Sequence, residues 1–410
     1  MRKEKVVVGL DVGTTKVVAL VGNVIDGTIE IIGLGKAESR GLEKGVVVDI
    51  GRTITSIRKA IEEAENMADV KINSVYVGIA GKHITSINNS GTVSINRPDR
   101  IIAQDDVRRV VETAQAIQLP TESEMIHVIP RQYIVDGQDG ITDPVGMTGT
   151  RLEVDVHIVT GAVTAVHNLV RCVESLGVEI EQIVLEPLAS SMAVLSSAEK
   201  ELGVVLMDIG GGTTDISVFR GGDIWFSKVI PIAGEHITND ITVGLQTPIE
   251  EAELIKKQAG TALVESVGED EKIEVATIGG DEKKTVSRKK LAKVIEPRVE
   301  ELLDLAMQEV EDAGYRDLVP AGLVLTGGTS LLQGIAEFAA QRYDIPVRRG
   351  RIPQGIHGLR DIVESPIFAT SIGLLHYAVE TKDFKKPEYA QRRSSLISKL
   401  FTWLNRFFRG

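Results

Sequence analysis

The feature that most restricts how this chain can fold is a motif that occurs twice. A β-branched run, Val6–Leu10, leads into Asp11-Val-Gly-Thr-Thr15, after which Lys16–Val21 is apolar again. This reads as strand, tight Gly/Thr turn and strand, a hairpin. The pattern returns 197 residues further on, from Asp11 to Asp208. There Val204–Met207 is followed by Asp208-Ile-Gly-Gly-Gly-Thr-Thr-Asp215 and the strand-like Ile216–Phe219. Two copies on hairpins predict two related domains in one chain. A third glycine turn closes a strand at Leu323-Val-Leu-Thr-Gly-Gly-Thr329 and is expected to open a helix at Ser330.

Amphipathic helical stretches separate these strands, at Thr53–Met67, Asp105–Ile117, Val163–Leu176, Pro248–Ala259 and Arg288–Ala313. Strands alternating with helices predict an α/β fold with mixed sheets. Two regions read as inserted subdomains. Residues 84–163 are strand-rich around one helix, and residues 236–304 are charged and helical around a short polar hairpin near Ile273–Val286.

Backbone N–H groups of a Gly-rich turn form an anion-binding nest, and glycine lets the chain approach phosphates closely. Gly13, Thr14, Thr15 and Lys16 are candidates for one side of a polyphosphate. Gly210, Gly211, Gly212, Thr213, Thr214 and Asp215 are candidates for the other, from the facing domain. Asp11 and Asp208 end strands just before the turns, where they can hold the waters of a Mg²⁺ that bridges phosphate oxygens. Gly327 and Gly328 are candidates for the nucleoside end or a phosphate. The chain has no Gly-x₄-Gly-Lys-Ser/Thr and no Gly-x-Gly-x-x-Gly, so neither a P-loop nor a dinucleotide fold competes.

Bulk properties narrow the class. Cys172 is the only cysteine, which excludes an internal disulfide and fits a reducing, cytoplasmic setting. The seven histidines lack ligand spacing, so a protein-built zinc site is not expected. A net charge of −12 argues against nucleic acid. That average hides an asymmetry: Gln391–Gly410 holds five cations and no acid, leaving −17 on the rest.

The three glycine turns, in this order, resemble the phosphate 1, phosphate 2 and adenosine motifs of the actin and heat-shock chaperone ATPase superfamily. Further matches resemble FtsA, the bacterial actin-like cell division family. Gln132-Tyr-Ile-Val-Asp-Gly137 and Gly146-Met-x-Gly-x-Arg151-Leu-Glu153 look like its inserted subdomain 1C. Ala252-Glu253-Leu-Ile-Lys256 is similar to the element whose Glu and Lys touch adenosine. Glu186-Pro187 and Ala369–Ala378 resemble the two connecting motifs of the hinge. The resemblance implies a two-lobed actin-like fold. Residues 1–83, 164–202 and 366–380 would form subdomain 1A and 84–163 subdomain 1C. Residues 203–235 with 305–365 would form 2A and 236–304 would form 2B. A tether at 381–394 and a helix at 395–410 would follow. It also implies ATP and Mg²⁺ as cofactors, filament formation with other copies, contacts with further division proteins, and at most slow hydrolysis. No water-orienting side chain is matched.

Val294-Ile-Glu-Pro-Arg298-Val-Glu-Glu301 resembles the FtsA helix start that grips the C-terminal peptide of the tubulin-like FtsZ, with Arg298 and Glu301 as the contacts. Pro297 suits a first helical turn. The tail reads without help from any family. On a helical wheel Leu396, Ile397, Leu400, Phe401, Trp403, Leu404, Phe407 and Phe408 share one arc of about 160°. Ser398, Lys399, Thr402, Asn405, Arg406 and Arg409 fill the opposite one. A large aromatic face flanked by cations predicts a helix lying flat on anionic lipid. Such a tail separates this reading from a metabolic kinase of the same superfamily and from the pilus-assembly protein PilM. The 1C-type insertion separates it from MreB.

Overall fold

The computed structural model describes residues 5–279, 283–352 and 356–383. The predicted tether begins three residues too early, since 381–383 end helix Ala369–Asp383; its remainder, 384–394, and the amphipathic tail, with Leu396, Ile397, Lys399, Leu400, Phe401, Trp403, Leu404, Arg406, Phe407, Phe408 and Arg409, lie outside the described residues.

The duplication seen in the sequence is a duplication of sheet topology. In the first lobe, strand Lys5–Val12 runs antiparallel to Lys16–Ile25, which runs antiparallel to Thr28–Glu38. On its other side Lys5–Val12 lies parallel to Ser74–Ile79, and that strand parallel to Glu179–Leu185. The second lobe repeats the order. Val204–Ile209 pairs antiparallel with Thr214–Arg220, and that strand antiparallel with Asp223–Ile230. Leu323–Thr326 and Val347–Arg349 extend the sheet in parallel on the far side. A sixth strand, Ile356–Gly358, returns to the first sheet beside Thr28–Glu38.

Both central strands are apolar runs buried nearly throughout, as strands covered on both faces must be. Helix Ile50–Ala68 covers one face of the first sheet. It buries Thr53, Ser56, Ile57, Ala60, Ile61 and Ala64 at helical spacing, and Asp49 caps it by accepting from the Arg52 N–H at 3.0 Å. Such a cap is worth about 1 kcal/mol. Helix Glu186–Val194, with Pro187 at its start, and helix Ala369–Asp383 lie between the lobes. Their contact is backbone-close: a Cβ on Gly373 would sit 1.8 Å from the Ala189 carbonyl oxygen.

The first insertion is a four-stranded antiparallel sheet in the order Thr85–Ser94, Arg151–Ala162, Ser123–Val135, Gln138–Ile141. Helix Gln104–Gln115 packs on it over a separate small core around Ile102, Leu152 and Val154. The second insertion carries helices Gly234–Leu245 and Ile249–Ala259 and a hairpin of Lys272–Ala276 with Lys283–Ser287.

Two local expectations are corrected. Pro297 does not start a helix, because helix Arg288–Asp312 begins nine residues earlier and runs through it. Pro297 removes one backbone donor. The row Leu291, Ile295, Val299, Leu302, Ala306 and Val310, all buried, continues on both sides and holds the helix together. Nor does Ser330 open an α-helix. Residues Gly328–Leu331 form one 3₁₀ turn, and Gly334, at φ 77°, delays the helix to Ile335–Tyr343.

Candidate functional site

The two motif turns meet tip to tip between the lobes. In each, the glycine two residues after the aspartate closes the turn: the Gly13 N–H donates to the Lys16 carbonyl and the Gly210 N–H to the Thr213 carbonyl, both at 3.0 Å. Ladder register makes the correspondence tighter than the spelling of the motif. Asp11 faces Val18, and Asp208 faces Asp215. Thr14 and Thr15 are therefore equivalent to Gly211 and Gly212, not to Thr213 and Thr214. The equivalence has a steric reason. A Cβ on Gly211 would lie 2.1 Å from Thr15 Cγ2, and one on Gly212 would lie 2.7 Å from Thr14 Cγ2. The two threonines occupy the space that the two glycines vacate. Thr213 takes the place of Lys16, while Thr214 is already in the ladder, buried, with its hydroxyl donating to the Ile232 carbonyl at 2.7 Å.

Acids gather behind the tips. Asp11, Asp208 and Asp215 are buried, and Glu186 joins them from the start of its helix. Lys16 Nζ bonds Asp11 Oδ2 at 2.9 Å. Asp208 Oδ2 accepts from Ser190 Oγ at 2.6 Å and Thr370 Oγ1 at 3.4 Å, one from each helix between the lobes. Burial holds the Asp208, Asp215 and Glu186 carboxyls above the usual range. The neighbouring aspartates add to this for Asp215 and Glu186, and Asp11 does so for Asp208, while the Ser190 hydrogen bond opposes it. Asp215 Oδ1 is buried without a hydrogen-bond partner. Among the described residues no three His, Cys, Asp or Glu side chains converge to hold a metal ion by themselves.

The predicted adenosine-side residues come to the same place. Lys256 Nζ donates to the Gly234 carbonyl at 2.9 Å and pairs with Glu253 at 2.6 Å; Thr238 donates to Glu253 at 2.5 Å. Read alone in the sequence, the pair would be a surface contact worth about 0.3 kcal/mol. Here Lys256 is largely buried against the start of helix Gly234–Leu245. That start is tied to the second turn, with Glu235 N–H donating to the Gly211 carbonyl at 2.8 Å and Thr329 Oγ1 to the Gly210 carbonyl at 2.7 Å. Gly327 has φ 81°, and a Cβ there would be 2.3 Å from Asp208 Oδ1, so the third turn is cut to fit the second aspartate. A Cβ on Gly328, next to it, would meet Ile367 Cγ1 at an ordinary 3.9 Å.

Asp11, Gly13–Lys16, Asp208, Gly210–Asp215, Glu253, Lys256, Gly327 and Gly328 thus gather at the cleft between the lobes, with Thr214 turned into the ladder and Asp215 buried behind the tips. Arg298 and Glu301 lie elsewhere, on the second insertion. The Arg298 fork is already engaged, with Nε and Nη2 on the two Asp240 oxygens at 2.5 and 3.0 Å and Nη1 on Glu301. Sequence reasoning did not assign Glu186, Ser190, Thr238, Thr329 or Thr370 to the cleft. Glu186 carried a signal, an acid at a strand end just before a proline-initiated helix. The hydroxyl residues carried none beyond the small-residue character of their helices.

Comparisons place the chain. Residues 205–373 match the family model described as "Cell division protein FtsA", and residues 81–160 match the SHS2 domain inserted in FtsA. The chain is 48% identical to cell division protein FtsA of Pseudomonas aeruginosa, with 92% of this chain and 90% of that one covered. It is 42% identical to the Escherichia coli K12 protein, at 98% of both, and 43% identical to the Bacillus subtilis protein, at 97% and 90%. Among solved structures it is similar to the PilM–PilN type IV pilus biogenesis complex, at TM-score 0.67 and 16% identity, covering 91% of this chain and 98% of that one. It is also similar to MreB5 of Spiroplasma citri bound to ADP, at TM-score 0.55 and 16% identity, covering 92% and 98%. The fold is that of the actin-like ATPases, with the SHS2 domain as its first insertion.

Proposed function

This chain belongs to the FtsA family of cell division proteins, and we propose that it acts there as an ATP-binding, filament-forming protein at the cytoplasmic face of the membrane. In this reading it ties FtsZ filaments to the membrane at the septum and helps bring in other division proteins. One observation carries the nucleotide part: the duplicated turns meet tip to tip with a buried aspartate behind each and Glu253 and Lys256 at the side. Relatives of the same fold have been solved with ADP and with AMPPNP, which supports that assignment.

Mg-ATP bound there would supply a polyphosphate for the turn N–H groups and a magnesium ion whose waters Asp11 and Asp208 would hold. The crowd of buried acids, with Lys16 as the cation bonded to one of them, suits a bound divalent ion. The scatter of those acids over two lobes suits an ion completed by waters and phosphates. Lys256 and Glu253 would flank the nucleoside. Glu186, which starts its helix beside Asp11, Asp215 and Asp208, is the group placed to orient a water, and the burial that raises its carboxyl suits it to take a proton. We assign it that role in slow hydrolysis.

The FtsZ contact rests on the resemblance of Val294–Glu301. Arg298 would exchange its fork from Asp240 to a peptide carboxylate, with Glu301 meeting a basic residue. Affinity from one such face is low and grows by avidity when both partners polymerise. Membrane attachment rests on the amphipathic pattern of residues 395–410.

Isothermal titration of the full chain with ATP, with and without magnesium, tests the reading. Asp208→Ala should abolish the magnesium-dependent gain in affinity while the circular dichroism spectrum stays that of the parent. Unchanged magnesium-dependent affinity overturns the assignment.

A further inference from the structure

The chain crosses between the lobes after helix Glu186–Val194 and again after strand Val347–Arg349, and the first insertion adds a contact that the hinge does not need. The insertion grows out of the first lobe, between strand Ser74–Ile79 and helix Val163–Glu174. Yet its edge strand Thr85–Ser94 lies against Asp223–Ile230, the edge strand of the second lobe's sheet. Side chains make the junction. Ser86 Oγ donates to the Ser227 carbonyl at 2.8 Å, and Asn88 Nδ2 donates to the Trp225 carbonyl at 3.1 Å and lies 3.2 Å from the Tyr315 hydroxyl. His157, 1% exposed, spans the seam with Nδ1 2.7 Å from Asn88 Oδ1 and Nε2 3.0 Å from Ser227 Oγ. The Asn88 carbonyl oxygen only accepts, so Nδ1 carries the proton and Nε2 accepts from the Ser227 hydroxyl. Arg131 of the insertion stacks its guanidinium 4.6 Å from the centre of the Trp225 ring.

We propose that this junction is a brace: the insertion clamps the second lobe from outside the hinge and restrains opening of the cleft. Two facts carry it. Every bond named except His157–Asn88, which lies within the insertion, joins chain anchored in different lobes, so rotation about the hinge must stretch or break them together. His157 and Ser227 at the centre of the junction are withdrawn from water, while Asn88 at its rim is exposed, so a broken brace leaves a buried imidazole and hydroxyl unpaired until water enters. Whatever binds the insertion and disturbs this face would then loosen the cleft, and nucleotide in the cleft would by reciprocity alter affinity for that partner. The nucleotide side of this inference rests on the proposed function; the restraint itself does not.

The test uses two opposite perturbations of the full chain with Cys172→Ser. The variant Ser86→Ala, Asn88→Ala, Trp225→Ala and Ser227→Ala removes the side chains that make the brace. The double variant Ser86→Cys with Ser227→Cys permits a crosslink across the seam. Spin labels at Met67→Cys and Leu305→Cys, exposed sites on the two lobes, report lobe separation in the first variant against its parent, without nucleotide. The broken brace should broaden the distance distribution. Release of a fluorescent ATP analogue should become about 10-fold faster in the broken variant. It should slow by a similar factor in the oxidised crosslinked protein and recover on reduction. An unchanged distance distribution overturns the brace. If no analogue binds any form, the functional reading fails, while the distances still decide the brace.

Discussion

His157 gives the sharpest quantitative expectation, because its environment acts on one protonation equilibrium. It is buried between the insertion and the second lobe, and desolvation, then Arg131, then His127 push its pKa down from 6.5 to about 4. Other charged groups near this seam are the Lys228–Glu309 pair, Asp223 and Arg220 on the second lobe. A histidine depressed in the folded state binds fewer protons there than when unfolded. Its contribution to stability is therefore complete above pH 6.5 and is lost as pH falls toward 4. The full shift corresponds to about 3 kcal/mol, and about 2 kcal/mol of it is lost between pH 7 and pH 5. Direct replacement removes this dependence. Urea unfolding of the parent and of His157→Gln, followed by circular dichroism in steps from pH 7 to pH 5, should give two curves of stability against pH that differ in slope. The parent should lose about 2 kcal/mol more than the variant over that range, since all other titrating groups are common to both. Parallel curves would refute the reasoning, showing that His157 titrates alike in folded and unfolded chains.

Other expectations are more direct. Gly327→Ala forces a Cβ toward Asp208 Oδ1 at a positive φ; it should lower stability by about 1–3 kcal/mol and weaken Mg-ATP binding, both readable by calorimetry. Arg298→Glu, which reverses a charge now held by Asp240, should abolish binding of an FtsZ C-terminal peptide in fluorescence anisotropy and leave ATP affinity at the parental level. Removal of residues 395–410 should release the protein from anionic vesicles in co-sedimentation, as should Trp403→Glu combined with Phe407→Glu. Pelleting at the full-length level would sink the membrane reading.

The hairpins were legible because their signals are local: β-branched runs that end in an aspartate and a glycine turn. The helices were legible from apolar spacing, and Arg288–Asp312 ends within one residue of where that spacing placed it. Its proline misled, because a preference for first turns is weaker than the buried row on either side. The equivalence of Thr14-Thr15 with Gly211-Gly212 was hidden by spelling. Matching the threonine pairs by letter conflicts with the ladder register, and the contact that makes the glycines necessary spans two lobes. Glu186 escaped assignment for a related reason. Its raised carboxyl is a product of burial first and then of Asp11, Asp215 and Asp208, which only folding brings beside it. The brace left no trace at all in the sequence, since Asn88, His157 and Ser227 form no motif until two sheet edges abut.

The contact of Gly211 with Thr15 has one more consequence. With the turn tips touching, the lobes stand against a mechanical stop. Nothing can close them further, so any object admitted between the tips acts only as a wedge. A group seated there would part the two lobes and could not draw them together.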